Sequence, residues 1–393
     1  MIVLSVNAGS SSLKFRAYNM PEEEVLISGV FERIGIDGGF YTIKVNGEKI
    51  KKEKDLPTHE VAVNTLLDEL LENKVINSYD EIEAVGHRVV HGGEKYTKSV
   101  LINDDVKKTI EELSDLAPLH NPANLVGINT FEKLLPNVKN VAVFDTAFLQ
   151  TLPPSAYIYP VPYEWYTQYG VRKYGFHGTS HRYINSKIEE IMGRKDLKVI
   201  SCHLGNGGSL AAIDSGKAID TSLGFTPNAG LMMGTRSGGI DLNIIPYVMR
   251  KSGKSMEEII EDLNKRSGFL GVSGKSSDSR DISAGIEKGD TRCILAEEIY
   301  EGKIIRYLSN YFVSLKGADV ICFAGGIGEN AINVRENIMK KIECLGVKLD
   351  KKANESRGEV VRISADDSKV ACYVIPTDEE VMIARDTYEL VQG

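Results

Sequence analysis

Two stretches of this chain, about half its length apart, follow one plan. Val3-Leu4-Ser5-Val6-Asn7-Ala8-Gly9-Ser10-Ser11-Ser12-Leu13 and Val199-Ile200-Ser201-Cys202-His203-Leu204-Gly205-Asn206-Gly207-Gly208-Ser209-Leu210 each pass from an apolar run through a Gly/Ser cluster to a Ser-Leu pair. Apolar runs bounded by turn residues read as strands, so each stretch predicts strand, tight turn, strand. A repeat at this offset implies duplication of one domain. The length agrees, since 393 residues exceed what a single core usually serves. A later pair supports duplication: Val320-Ile321-Cys322-Phe323-Ala324-Gly325-Gly326 ends in a glycine turn, as Val141-Ala142-Val143-Phe144 ends at Asp145.

Helical spacing of apolar residues over 61–73, 257–265, 294–308, 333–343 and 379–391 alternates with these strands, which predicts an α/β protein. The prolines at 153, 154, 160 and 162 suit a connection between domains better than a regular element.

Composition removes several classes of function. A net charge of −8 without a Lys/Arg block argues against a nucleic-acid partner. No stretch approaches the ~18 apolar residues of a membrane span, and Met1 to Ser5 lacks the basic start of a signal peptide. Five cysteines, an odd number without CxxC spacing, exclude a zinc ribbon and argue against a disulfide framework. The expected setting is the reduced cytoplasm.

A Gly/Ser hairpin after a strand has a physical reason to hold phosphate. Glycine lets the backbone approach an anion closely, serine hydroxyls add donors, and Lys14 adds a point charge. Two such hairpins facing each other across a cleft would grip a polyphosphate from both sides. Either hairpin alone also fits an ordinary turn. Gly274-Lys275-Ser276 resembles the end of a P-loop, but Phe269 stands where its first glycine belongs and no strand leads into it. Gly325-Gly326-Ile327-Gly328-Glu329 follows a strand and precedes a helix, a place where helix N–H groups could meet a nucleotide.

His87 and His91, like His177 and His181, stand four apart, which invites a metal reading, yet neither pair carries the Glu of HExxH. Arg88 lies among apolar residues and Arg236 in Gly234-Thr235-Arg236-Ser237-Gly238. A guanidinium with small neighbours can take an oxyanion bidentately, or else form a buried ion pair. Asp145 closes an apolar strand, the usual place for an active-site carboxylate in an α/β sheet, or for a turn or cap residue. Asp278 and Arg280 share a compact polar loop with the same ambiguity.

Taken together, the motifs resemble the acetate kinases, within the acetate and sugar kinase/Hsp70/actin superfamily. The likeness runs nearly end to end, through Asn7 to Lys14, His87 to Gly93, Ala117 to Pro122, Phe144 to Phe148, Tyr174 to His181, His203 to Ser209, Gly230 to Gly238, Asp278 to Ile282 and Pro376 to Glu380. It implies a duplicated ribonuclease-H-like (actin-like ATPase) fold flanking a nucleotide cleft. The first domain would span 1–148 with a returning helix at 381–393, and the second 149–380. It further implies a homodimer and reversible phosphoryl transfer from Mg-ATP to acetate, giving acetyl phosphate and ADP, with Mn²⁺ able to replace Mg²⁺.

By the same resemblance, Asn7 and Glu379 hold the metal, Arg88 clamps the acetate carboxylate, and Val90, Leu119, Phe176 and Pro227 surround its methyl. Asp145 matches the essential acid, and His177 and Arg236 match transition-state stabilisers. Lys14, His203, Leu204, Gly205, Asn206, Gly207, Asp278, Ser279, Arg280, Gly325, Gly326, Ile327, Gly328 and Glu329 match nucleotide-binding positions. Thr226-Pro227 is followed by Asn228-Ala229, where the family usually has Leu-Glu. A carboxylate acceptor, with a reference pKa of about 4, is already ionised near neutral pH, so the reaction needs no strong general base. Asp145 is therefore expected to position the metal or the arginines. A propionate kinase is the alternative within this chemistry, and an actin-like or Hsp70-like ATPase is the alternative outside it.

Overall fold

The computed structural model describes residues 1–393. They form two compact units, one of Met1–Phe148 with Asp378–Gly393 and one of Leu149–Thr377.

The first unit is built on an eight-stranded sheet. Its strands are β1 (Ile2–Ala8), β2 (Ser12–Asn19), β3 (Glu24–Glu32), β4 (Phe40–Val45), β5 (Glu48–Glu53), β6 (Ile82–Val89), β7 (Val100–Leu101) and β8 (Lys139–Phe144), in the order β5-β4-β3-β2-β1-β6-β8-β7. β1 runs antiparallel to β2 and parallel to β6, and β8 runs parallel to β6. The near-continuous burial of β1 and β6 is what a central strand covered on both faces requires. Successive side chains of β6 serve opposite faces. Val85 joins Leu66 of helix His59–Glu72 and Phe131 of helix Asn121–Leu134 in one core. Gly86 faces the other way, beneath Ile383 of the C-terminal helix Glu379–Gln392. A Cβ on Gly86 would collide with Thr387 and stand 2.6 Å from the Ile383 methyl, so only glycine lets this helix lie so close to the sheet.

The second unit has a six-stranded sheet of β9 (Lys198–Leu204), β10 (Gly208–Asp214), β11 (Lys217–Thr221), β12 (Val320–Ala324), β13 (Val361–Arg362) and β14 (Ala371–Val374), ordered β11-β10-β9-β12-β14-β13. Its segment β11-β10-β9-β12-β14 repeats β3-β2-β1-β6-β8, with the same mixture of antiparallel and parallel neighbours. Duplication is therefore visible in the topology. The long helix Thr291–Ser314, capped by Asp290, lays Tyr300, Ile304, Leu308 and Tyr311 into a core with Cys202, Leu210, Ile321 and Phe323.

Two details differ from the sequence reading. β12 lies beside β9 as β6 lies beside β1, so the counterpart of Val141 to Phe144 is β14, not Val320 to Ala324. The apparent echo arose because β8 and β12 are both buried strands, and burial carries no information on strand order. The proline-rich stretch opens the second unit and contains two short helices, Pro154–Tyr157 and Tyr163–Tyr169. Pro154 occupies a first helical position, where its missing N–H costs nothing.

Candidate active site

In the first unit the chemistry-bearing residues stand at the carboxyl ends of neighbouring strands. Arg88, near the end of β6, donates from Nη2 to Asp145 Oδ2 at 3.1 Å, and its Nε is 3.9 Å from Glu379 Oε2. Asp145, just beyond β8, is almost fully buried and donates its backbone N–H to the Val89 carbonyl. Burial works to lower the Arg88 pKa, but Asp145 and Glu379 outweigh it and hold the guanidinium charged. Burial and then repulsion from Asp145 push the Glu379 carboxyl up, against the pull of Arg88. Asn7 on β1 is paired in register with Lys14 on β2, and Lys14 forms an ion pair with Glu380. Arg16, one alternation further along, binds Asp378 at 2.7 Å. These pairs fasten the start of the C-terminal helix, and Glu379 with it, to the first hairpin.

In the second unit a polar cluster surrounds the end of β9. His177 adopts φ +60° at the start of helix Gly178–Met192, a left-handed conformation uncommon for a residue with a side chain. Its ring lies 4.3 Å from that of His203. His177 Nδ1 meets Ser209 Oγ at 2.9 Å, and His203 Nδ1 meets Ser180 Oγ at 2.7 Å. A Cβ placed on Gly207 would stand 3.7 Å from both His177 Nε2 and Arg236 Nη1. An imidazole and a guanidinium thus converge beside bare backbone. Arg236 also donates to the Pro227 carbonyl at 3.2 Å, and desolvation lowers its pKa.

Glycines draw the other segments to the same place. Gly325, at φ +74°, brings its Cα against the Leu204 backbone, where a Cβ would stand 2.7 Å from the carbonyl oxygen. A Cβ on Gly234 would overlap the Asn206 carboxamide and approach the Ser277 carbonyl at 3.0 Å. The turn at 203–207, the helix Gly325–Asn330 and the loop entering Asp278 are therefore neighbours. Gly325 and Gly326 form the first turn of that short helix rather than a loop before it. Glu329 accepts from Thr377 N at 3.2 Å, and burial pushes its carboxyl pKa up.

A family model of the acetokinase family matches residues 2–385. The chain belongs to the acetokinase family. It is 56% identical to the acetate kinase of Anoxybacillus flavithermus over 99% of this chain and 98% of that one. Among solved structures, the acetate kinase of Porphyromonas gingivalis is 48% identical with a TM-score of 0.95, covering 99% of both chains. A propionate kinase from Francisella tularensis is 42% identical with a TM-score of 0.94, again over 99% of both. Membership gives the duplicated sheets their place as the two halves of an actin-like ATPase fold.

The residues expected from sequence fall into two groups. Asn7, Lys14, Arg88, Val90, Leu119, Asp145 and Glu379 lie in the first unit, and the remainder lie in the second. Val90 and Phe176 are buried, Pro227 is half-buried, and Leu119 is 74% exposed. Asp278 caps helix Ser279–Glu287 by accepting from Arg280 N at 2.8 Å, and its carboxylate also holds the Arg280 side chain. His87 is bound through Nε2 to Asn140, and burial lowers its pKa to about 4. His91 Nδ1 accepts from Gly93 N.

The sequence reading assigned no role to three important residues. Asn124 joins the ends of β1 and β6, donating to the Ala8 carbonyl at 2.7 Å and accepting from Val90 N at 3.0 Å. Asn121 accepts from His91 N and donates to the carbonyls of His91 and Ile110. Arg335, fully buried, gives all its donors to carbonyl and carboxamide oxygens around Gly328 and Glu329. Their signal was weak, because a polar residue on a helix reads as solvent-facing until its partner is known.

Proposed function

We propose that this chain catalyses reversible, direct in-line transfer of the γ-phosphoryl group of ATP to the carboxylate of acetate, giving acetyl phosphate and ADP. The observation that carries this reading is the convergence of His177 and Arg236 beside Gly207, against the turn that Gly325 packs on. A transferring phosphoryl group spreads negative charge over three equatorial oxygens, so fixed donors and positive charge supply most of the catalysis. In this reading the second unit takes the nucleotide through His203 to Gly207, Asp278 to Arg280 and Gly325 to Glu329. His177 and Arg236 donate to the transferring group.

The first unit takes the acceptor. Arg88 is oriented by Asp145 and binds the acetate carboxylate, which needs no deprotonation. Val90 and Leu119 are the proposed contacts of the methyl group in this unit. Lys14 serves the phosphates. Asn7 and Glu379 are the proposed Mg²⁺ ligands. The carboxylates of Asp145 and Glu379 repel each other, and hard oxygen donors of this kind suit Mg²⁺, with Mn²⁺ as a substitute. Bound there, Mg²⁺ would neutralise phosphate charge.

The propionate reading is favoured by one observation, the likeness to the Francisella tularensis propionate kinase. One methylene in an apolar site is worth only ~1–3 kcal/mol, so overlapping use of the two acids is expected. An actin-like or Hsp70-like ATPase would have no use for Arg88 as an acyl-acceptor clamp. We also read the protein as a cytoplasmic homodimer. Its five cysteines are all unpaired, and no helix is long and apolar enough to cross a membrane. Tyr163, Trp165 and Tyr169, and separately Leu242, Ile244 and Tyr247, expose apolar surface of the kind a partner subunit covers. Light scattering reads the assembly, and a monomer at micromolar concentration would refute it. The activity is tested by trapping acyl phosphate with hydroxylamine in the presence of ATP, Mg²⁺ and acetate. Absence of product refutes the reaction, and comparing kcat/KM for acetate and propionate decides between the two acids.

A further inference from the structure

The histidine cluster of the second unit contains a hydrogen-bonded chain whose direction is set at its buried end. Ser201 Oγ is fully buried, and its hydrogen-bond partner is His181 Nδ1 at 2.8 Å. His181, also fully buried, contacts Ser209 Oγ through Nε2 at 2.8 Å. Ser209 Oγ in turn contacts His177 Nδ1 at 2.9 Å.

A hydroxyl carries one proton and two lone pairs. Were Ser201 the acceptor, its own buried proton would point at nothing, at a cost of ~1–3 kcal/mol. An unused second lone pair costs less. Ser201 therefore donates to His181 Nδ1. Burial and the neighbouring His203 push the His181 pKa down to about 3, so the ring is neutral at working pH. A neutral imidazole that accepts at Nδ1 donates at Nε2. Ser209 accepts that hydrogen bond and directs its own proton to His177 Nδ1.

We propose that His181 is a positioning residue which, through Ser209, holds His177 in the Nε2–H tautomer. His177 then presents a donor on the edge that faces the same point beside Gly207 as Arg236 Nη1. The opposite direction of the chain would present a lone pair there, repelling a phosphoryl oxygen. This assignment rests on His177 facing the transferring phosphoryl group.

The test uses the full chain, labelled with nitrogen-15 histidine, in a two-bond hydrogen–nitrogen correlation spectrum near neutral pH. Spectra of His177→Gln and His181→Gln assign the signals. Both rings are expected as Nε2–H, and an Nδ1–H form of either in the unsubstituted protein overturns the proposal. In kinetics, His181→Leu is expected to lower kcat ~10-fold or more while KM for ATP and acetate moves less than ~2-fold. His181→Gln, whose amide N–H can stand where Nε2–H stood, is expected to recover most of that loss. A His181→Gln enzyme as slow as His181→Leu, with unchanged melting, overturns the relay. If His181→Leu does not fold, the spectrum and His181→Gln decide. A His177→Ala enzyme with unchanged kcat refutes instead the reading of His177 as a stabiliser, and leaves the tautomer measurement standing.

Discussion

Arg335 offers the sharpest test of how the turn proposed to bind the nucleotide is supported. Its five N–H donors are all used: Nε on Asn354 Oδ1 at 2.8 Å, Nη1 on the carbonyls of Gly328 and Glu329 at 2.9 and 2.8 Å, and Nη2 on those of Asn354 and Ser356 at 2.7 and 2.8 Å. No carboxylate is among the partners, and desolvation lowers its pKa to about 10. Arg335→Met keeps much of the stem and strips every donor. Each buried acceptor left unpaired costs ~1–3 kcal/mol, but the substitution also relieves the burial of a charge, so the five do not simply sum. Hydrogen bonds from a charged donor are worth ~1.5–3 kcal/mol each, so a net loss of ~3–5 kcal/mol is expected once the relieved charge burial is set against them. A domain of this size shifts ~2–4 °C per kcal/mol, which gives a fall of roughly 6–20 °C in the melting of the second unit. Calorimetry reads it, and KM for ATP should rise because Gly328 and Glu329 close the helix that begins at Gly325. Arg335→Lys should recover less than half, since an ammonium has three donors and no planar fork. A melting temperature within ~2 °C of the unsubstituted protein for Arg335→Met would mean that those oxygens find water or each other, and the argument would fail.

Other substitutions probe other parts of the molecule. Gly86→Val should drive the C-terminal helix off β6, costing ~1–3 kcal/mol and lowering kcat through displacement of Glu379; unchanged melting and activity refute the close-packing argument. Glu297, half-buried beside Glu301, has its pKa raised to about 7 by burial and then by that neighbour. A carboxyl raised in the folded state contributes most below its unfolded pKa, and the contribution fades as pH climbs toward 7. Glu297→Gln should therefore stabilise by ~1–2 kcal/mol at pH ~8, after discounting for solvent, and by little near pH ~4, as read by urea melts. Removing either His177 or Arg236 by alanine substitution should lower kcat ~10²-fold or more with the fold intact. Arg88→Lys should raise KM for acetate far more than KM for ATP, because an ammonium cannot hold Asp145 and a carboxylate in one plane; equal effects on both would refute the clamp.

Much of this was legible in the sequence because the informative signals were local. The two Gly/Ser hairpins, the buried strand delivering Asp145 and the helix beginning at Glu379 each follow from neighbours in the chain. What was hidden depended on distant partners. Asn124 reads as an ordinary helix residue until β1 and β6 end beside it. Gly86 reads as a weak point in a strand until a helix some 300 residues later lies across it. Asp278 and Arg280, read as nucleotide contacts, bind each other at 2.6 Å with Asp278 capping a helix, so local chemistry alone accounts for the arrangement seen.

The duplicated sheets carry different residues at equivalent strand ends, as the proposed division of roles requires. Ligands of open α/β sheets collect at the carboxyl ends of the parallel strands, so equivalent strand ends can be compared directly. β6 delivers Arg88 before its glycine pair at 92 and 93, whereas its counterpart β12 runs straight into Gly325 and Gly326 with no charged side chain. β8 delivers Asp145, whose N–H donates to the Val89 carbonyl, whereas the matching position after β14 is Ile375, whose N–H donates to the Phe323 carbonyl. One half thus places ionised side chains at these ends, suited to a carboxylate and a cation. The other half leaves an apolar side chain and bare glycine backbone there, suited to phosphate oxygens that accept from N–H groups. In the proposed reading the positive charge of the second half comes instead from Arg236, which stands on a loop outside the repeated strands.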